Sequence, residues 1–273
     1  MTVDTQPAPE ETTGDLAQWE ELAGDWGRRR PQTLWRTYCD LAHSALIERW
    51  LPEQRVDRVL KTDLFDEVVT EGLYPVLARK ARHVIGMDVA ASAAAQATAR
   101  HPRLAALSAD ARRLPFADGS FDAIVSNSTL DHFATLDDVR VSLRELARIT
   151  RPGGTLVLTL DNLANPVVAL RSVLPLGPLR WLGLVPYYVG ATCGPERLRA
   201  LVGEAGFTVT RVEQFMHCPR VIAVALARVV ERYGSPEAQR RLLRHFAWYE
   251  RLEQWPTREQ TSYFTAVRAT RAV

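Results

Sequence analysis

The sequence predicts an α/β fold on a mostly parallel sheet, and three observations carry that expectation. From residue 57 onward, short runs rich in branched apolar residues alternate with longer runs of helical periodicity. That is the pattern of strands joined by crossover helices. The run at 83–89, HVIGMDV, is almost continuously apolar, as a strand covered on both faces requires. Acidic residues stand at the ends of successive strand-like runs, at Asp63, Asp88 and Asp110, and open α/β sheets bind ligands at the carboxyl ends of their strands.

The elements follow in order. Residues 1–13 are polar and acidic, without the basic start and apolar stretch of a signal peptide, and are expected to be disordered. The rest, 14–273, reads as a single domain. In 14–50, Trp19, Leu22, Trp26, Trp35, Tyr38, Leu41, Leu46 and Trp50 recur at three- and four-residue steps. This predicts a helical cap, divided near Pro31. Residues 51–162 form the ligand-binding core. Strands are expected at 58–62, 83–89, 104–110, 121–127 and 154–162, with helices at 74–81, 90–101 and 136–150. RPGG (151–154) should end the last of these helices. Residues 163–194 are apolar but broken by Pro166, Pro175, Pro178 and Pro186, which predicts an insertion of short helices after the fifth strand. Residues 195–273 close the core. They hold a helix from Pro195 to Gly206, a strand at 207–215, helical segments divided at Gly234 and Pro236, and a last strand in TSYFTAVRAT (261–270).

The bulk properties narrow the function. The chain has 273 residues, 47% apolar and 24% charged, with a net charge of +2. It can bury a core, and its charge balance argues against nucleic acid. Three scattered cysteines without metal-ligand spacing suit a reduced, cytoplasmic setting and give no metal site. No apolar run is long enough for a membrane span. A peripheral membrane contact through the insertion stays open beside ordinary packing. The oligomeric state is not legible.

The chemistry concentrates at the strand ends. Asp88, with Val89 beside it, is placed to accept both ribose hydroxyls of an adenosine. Asp110 is placed to accept the adenine amino group, with the backbone of Ala111 completing base recognition; a turn cap is the alternative for Asp110. Asp63, Asp66 and Glu67 put three carboxylates after the first strand. They would repel a pyrophosphate but suit a ligand bearing an ammonium. Leu64 and Phe65 pack beneath that ligand or against the core. At the fourth strand end, Asn127 and Ser128 are candidates to contact the ligand. Asp131 and His132 are the nearest candidates for a general base, although His132 reads equally as a lining residue. His217 is a second such candidate. Tyr187 and Tyr188 face substrate or pack.

Residues of about 57–162 resemble a class I S-adenosylmethionine-dependent methyltransferase of the small-molecule branch. HVIGMDVAAS, SADARRLPFADGSFDAIVSNSTLDHF, LRELARITRPGGTLVLTLDN and GPERLRALVGEAGF carry the resemblance. It implies a Rossmann-like fold with seven strands, the last antiparallel. It also implies S-adenosyl-L-methionine as cofactor and a small-molecule acceptor. The apolar insertion suggests a closed, greasy acceptor pocket. The departure is the first loop. The family has an acidic residue and alternating glycines there, and this chain has Lys61 to Glu67 without a glycine. A non-catalytic relative is the alternative this departure supports.

Overall fold

The computed structural model describes residues 16–17, 19–24, 32–174 and 190–272. The tail at 1–13, Pro31 and the insertion residues 175–189, with Tyr187 and Tyr188, lie outside them. Seven strands form one sheet: β1 (Val56–Lys61), β2 (Ala81–Asp88), β3 (Ala105–Ser108), β4 (Phe121–Asn127), β5 (Thr150–Asp161), β6 (Phe207–Phe215) and β7 (Phe264–Arg271). Their order is β3-β2-β1-β4-β5-β7-β6. The first five run parallel, and β7 pairs antiparallel with both β5 and β6. The seven-stranded, mostly parallel α/β sheet with an antiparallel final strand agrees with the sequence. Strand order reverses between β1 and β4, so a crevice opens at their carboxyl ends.

Alternate strand residues point to opposite faces of a sheet, and the core divides accordingly. Val59, Val125 and Val157 join one buried cluster, whereas Leu60, Ile124 and Leu156 join the other. The helix α1 (Thr33–Trp50) covers the first cluster with Trp35, Leu46 and Trp50. A later helix, Leu136–Ile149, covers the second with Val139, Leu143 and Leu146. Thr135 caps that helix by accepting the Asp138 N–H at 3.1 Å, and Asp137 and Asp138 occupy its positive first turn.

RPGG does more than stop a helix. The helix ends at Ile149, and β5 already begins at Thr150. The ladder then jumps from Phe121↔Thr150 to Ala123↔Thr155, so the RPGG residues bulge out of the pairing. Pro152 has no N–H to give the ladder, and Gly153 takes φ +75°.

The closing strand is central, because β7 lies between β5 and β6. Val267 is fully buried there, paired with Leu158 and Val212. Val267→Asp should destabilise the protein by about 3 kcal/mol or more, measured by chemical denaturation.

Candidate functional site

Two cavities open at the carboxyl ends of the strands and share a wall. The first holds about 340 Å³ and lies over the ends of β1, β2 and β3, with Asp63, Asp88, Val89, Asp110, Ala111 and Arg112 on its surface. The second is smaller, about 60 Å³, and lies toward β4, β5 and β7, with Asn127, Ser128, Asp131, Asp161, Tyr263 and Phe264. Trp19, Asp63 and His132 line both. Trp19 comes from a helical segment at 19–24 and meets the His132 ring edge-on, with centroids 5.1 Å apart.

In the first cavity, Asp88 ties two loops together. Its Oδ2 accepts the Leu64 N–H at 3.0 Å and its Oδ1 the Ala90 N–H at 2.9 Å. Each oxygen retains a lone pair toward the cavity. Burial, and then the negative charge of Asp63, push this carboxyl up to about 7. Asp63 accepts the Phe65 N–H on Oδ1 at 2.9 Å. Its carboxyl is also raised, chiefly by burial. Asp110 is gripped by Arg112, whose Nη2 lies 2.7 Å and whose Nε lies 3.0 Å from Oδ2. Arg112 reaches Asp138 at 3.2 Å as well, and its guanidinium stands over the Phe133 ring at 5.1 Å.

Leu64 departs from the expected cofactor set. Its side chain is fully buried in the core and lines neither cavity; only its N–H takes part, through Asp88. It lies so close over β2 that a Cβ at Gly86 would come within 2.5 Å of its Cδ2. Asn127, Ser128 and Asp131 fall on the second cavity only. His217 lines neither. It is buried, with Nδ1 2.8 Å from Thr261 Oγ1 and Nε2 3.2 Å from the Gln214 carbonyl.

The second cavity is charged as well as aromatic along its described residues; the insertion residues 175–189, on which the expected greasy pocket rests, lie outside them. Arg36, His43, Asp66, Asp161 and Arg220 line it beside Trp35, Phe65, Tyr263 and Phe264. Asp161 pairs with Arg171 at 2.6 Å, and Arg171 donates to the Tyr263 hydroxyl at 2.5 Å. Asp131 is buried. Its Oδ2 accepts the Ser128 hydroxyl at 2.9 Å and the Asp161 N–H at 3.3 Å, while its buried Oδ1 has no hydrogen-bond partner. Burial and then Asp161 push this carboxyl up to about 6. Cys39 also lines the cavity, but burial pushes its thiol up to about 12, so it is no thiolate nucleophile. Ser128 and Met216, both on this wall, hold φ near +49° and +59°. Such backbone strain persists only where surrounding bonds fix it; Ser128 N–H donates to Thr159 O at 3.0 Å and Met216 N–H to Glu250 at 3.0 Å.

Residues 68–158 match the family model described as a methyltransferase domain. A demethylmenaquinone methyltransferase of Thermus thermophilus is 36% identical over 147 residues, which cover 46% of this chain and 64% of that protein. The likeness to methyltransferases is carried by this central part of the chain. A probable S-adenosylmethionine-dependent methyltransferase of Mycobacterium tuberculosis is 26% identical over 66% of this chain and 59% of its own length. The chain thus spans less than two thirds of these relatives. Among solved structures, the [4+2]-cyclase SpnF aligns over 85% of this chain and 80% of its own, with TM-score 0.54 and 19% identity. The Haemonchus contortus phosphoethanolamine N-methyltransferase 2 in complex with S-adenosyl-L-methionine aligns over 84% of this chain and 52% of its own, with TM-score 0.53 and 16% identity. These two show the fold.

Within this methyltransferase fold, the glycine-free loop is held by side chains. Lys61, at the end of β1, is 1% exposed and pairs with the fully buried Glu67 at 2.7 Å. The same ammonium donates to the Asp63 carbonyl. Glu67 Oε1 in turn accepts the Leu73 and Tyr74 N–H groups at 2.8 and 3.2 Å. It sits against Gly72, whose φ is +58° and where a Cβ would meet Oε1 at 2.6 Å. Breaking a buried pair strands its partner charge. Lys61→Met should therefore cost about 3–5 kcal/mol of stability. Lys61→Met/Glu67→Gln should recover much of that loss, because the amide is neutral and still accepts both N–H groups. Urea unfolding of the two variants checks it.

Proposed function

We propose that the chain is an S-adenosylmethionine-dependent methyltransferase of a small-molecule acceptor, with cofactor in the first cavity and acceptor in the second. The shared wall of Trp19, Asp63 and His132 supports this most directly. Methyl transfer needs a donor and a nucleophile that meet in line with water excluded. Two cavities that touch at one aromatic and ionisable wall supply that meeting point.

On this reading Asp88 accepts the ribose hydroxyls. Arg112 fixes Asp110 for the adenine amino group, with Val89 and Ala111 flanking the base. Asp63 takes the methionyl ammonium on Oδ2, since Oδ1 is bound to Phe65 N–H. S-adenosylmethionine held there would supply an electrophilic methyl group to an acceptor lone pair, with the S–CH₃ electrons left on sulfur, and Trp19 and His132 would exclude water from the junction. An acceptor that must lose a proton gives it to Asp131 Oδ1, whose raised pKa near 6 suits a base at neutral pH. His132 shapes the junction. Asn127 and Ser128 orient the acceptor wall, Asn127 through its amide on Asp66 at 3.2 Å.

The charged lining favours an acceptor with a polar reacting end. Demethylmenaquinone, named for the Thermus relative, is one acceptor class to screen.

Two outcomes test the assignment. A protonated Asp88 loses acceptor capacity, so affinity for S-adenosylhomocysteine should fall as pH drops through about 7 and level off above it. Calorimetric titration across pH should show that dependence in the native protein and a flat, weaker profile in Asp88→Asn; no binding at any pH would reject the cofactor reading. With an acceptor found by screening, Asp131→Asn should lower turnover by about 10²–10⁴ while S-adenosylhomocysteine affinity holds. Unaltered turnover would leave the base elsewhere.

A further inference from the structure

The helix Arg220–Tyr233 is apolar on both sides. One side packs against α1, with Ala223 and Ala227 each 1% exposed. The other side carries Ile222, Leu226, Val229 and Tyr233, which are 62%, 44%, 56% and 76% exposed. Their spacing of four, three and four residues sets them in one stripe along the helix. By the same geometry Arg228 and Arg232 flank that stripe, and both are exposed. A contiguous exposed apolar stripe marks a place of contact.

The charge around it indicates what makes the contact. Residues 219–258, which hold this helix and the next (Pro236–Trp248), contain eight arginines and no lysine against four glutamates. Trp248 and Trp255 in the same stretch are 52% and 59% exposed. Long arginine side chains beside an apolar stripe can bury their stems while the guanidinium meets phosphate. Exposed tryptophan and tyrosine suit the same boundary, where one end of the ring is apolar and the other wet.

The stripe also adjoins the acceptor side. Arg220, the first residue of the helix, lines the second cavity and stands 4.6 Å over the Tyr263 ring. Arg171 reaches the same tyrosine from the helix Pro166–Val173, which exposes Val167, Leu170 and Val173.

We infer that the Arg220–Tyr233 face docks the protein on an anionic lipid surface, with the second cavity beside the bilayer. The apolar stripe enters the acyl boundary and the flanking arginines meet anionic headgroups. This goes beyond the proposed reaction and does not depend on it, since docking needs neither cofactor nor acceptor.

The test is vesicle flotation of the full chain. One set of vesicles is phosphatidylcholine alone, and a second adds phosphatidylglycerol. Binding is expected to the anionic set, weakened by salt, with little to phosphatidylcholine. Ile222→Ser/Val229→Ser should weaken it about tenfold or more. The thermal transition should be unchanged, because both side chains are exposed. Arg228→Gln/Arg232→Gln should weaken it too, keeping the residual apolar contribution. Absence of binding to the anionic set, or undiminished binding by the Ile222→Ser/Val229→Ser variant, overturns the inference. So does a dimer in sedimentation analysis that the same variant dissolves, since the stripe would then meet a second copy.

Discussion

The site depends on one buried ion pair. Lys61 and Glu67 are both removed from water, where neither charge is stable alone. Together they fix the loop that carries Asp63, and Glu67 extends the arrangement to the next helix through the Leu73 and Tyr74 amides. Glycines let a loop approach a ligand by leaving room. Here the room is made elsewhere. Leu64 turns inward onto Gly86 of β2, which frees its N–H for Asp88. The close approach that the loop cannot make with its own glycines is made by a glycine in the strand beneath it.

Asp88 then couples the first loop to the second. It accepts Leu64 N–H from one and Ala90 N–H from the other. A carboxylate held by two backbone donors cannot swing away when a ligand enters, and it meets hydroxyls without reorganisation. Burial works against its charge and the two N–H groups work for it. The balance leaves the group close to neutral pH, where binding and ionisation are linked.

The sheet was legible because its signals are local. Continuous apolar runs, caps and turn residues identified the strands, and the family resemblance implied that the last runs antiparallel. The strand-end acids were legible for the same reason, and Asp63, Asp88 and Asp110 all face the first cavity. The second cavity was not, because its wall comes from segments far apart: Trp35 and Arg36 from α1, Asp161 from β5, Met216 after β6 and Tyr263 before β7. Trp19 read as one more position in a helical stripe, and nothing local distinguishes a packing tryptophan from one between two cavities. Arg112 had a signal: it stands two residues after Asp110, a spacing at which a guanidinium can fold back on the carboxylate. Leu64 had both readings open, beneath a ligand or in the core, and the choice depends on Gly86, twenty-two residues later. RPGG marked the helix end, but its bulge was not legible, because proline and glycine mark a bulge as readily as an end.

Fold alone does not select the reaction. A cyclase and an N-methyltransferase align with this chain at nearly equal TM-scores, 0.54 and 0.53, and chemistry resides in the site grafted on the frame. This chain places a charged cavity next to a helix with an exposed apolar stripe. The cavity is lined by Arg36, Asp66, Asp161 and Arg220, and although Arg36–Asp66 and Arg171–Asp161 are paired, a wholly apolar molecule there would offer these groups no hydrogen bonds in place of water. A wholly polar acceptor, in turn, would have no use for the apolar stripe outside. If the proposed reaction and the proposed docking both hold, an amphiphile satisfies both, with its polar reacting end among the ions and its apolar remainder toward the stripe. Specificity on this frame would then come from charge inside the cavity and access from the surface beside it, two selections made by different residues of the same helix, Arg220 within and Ile222 without.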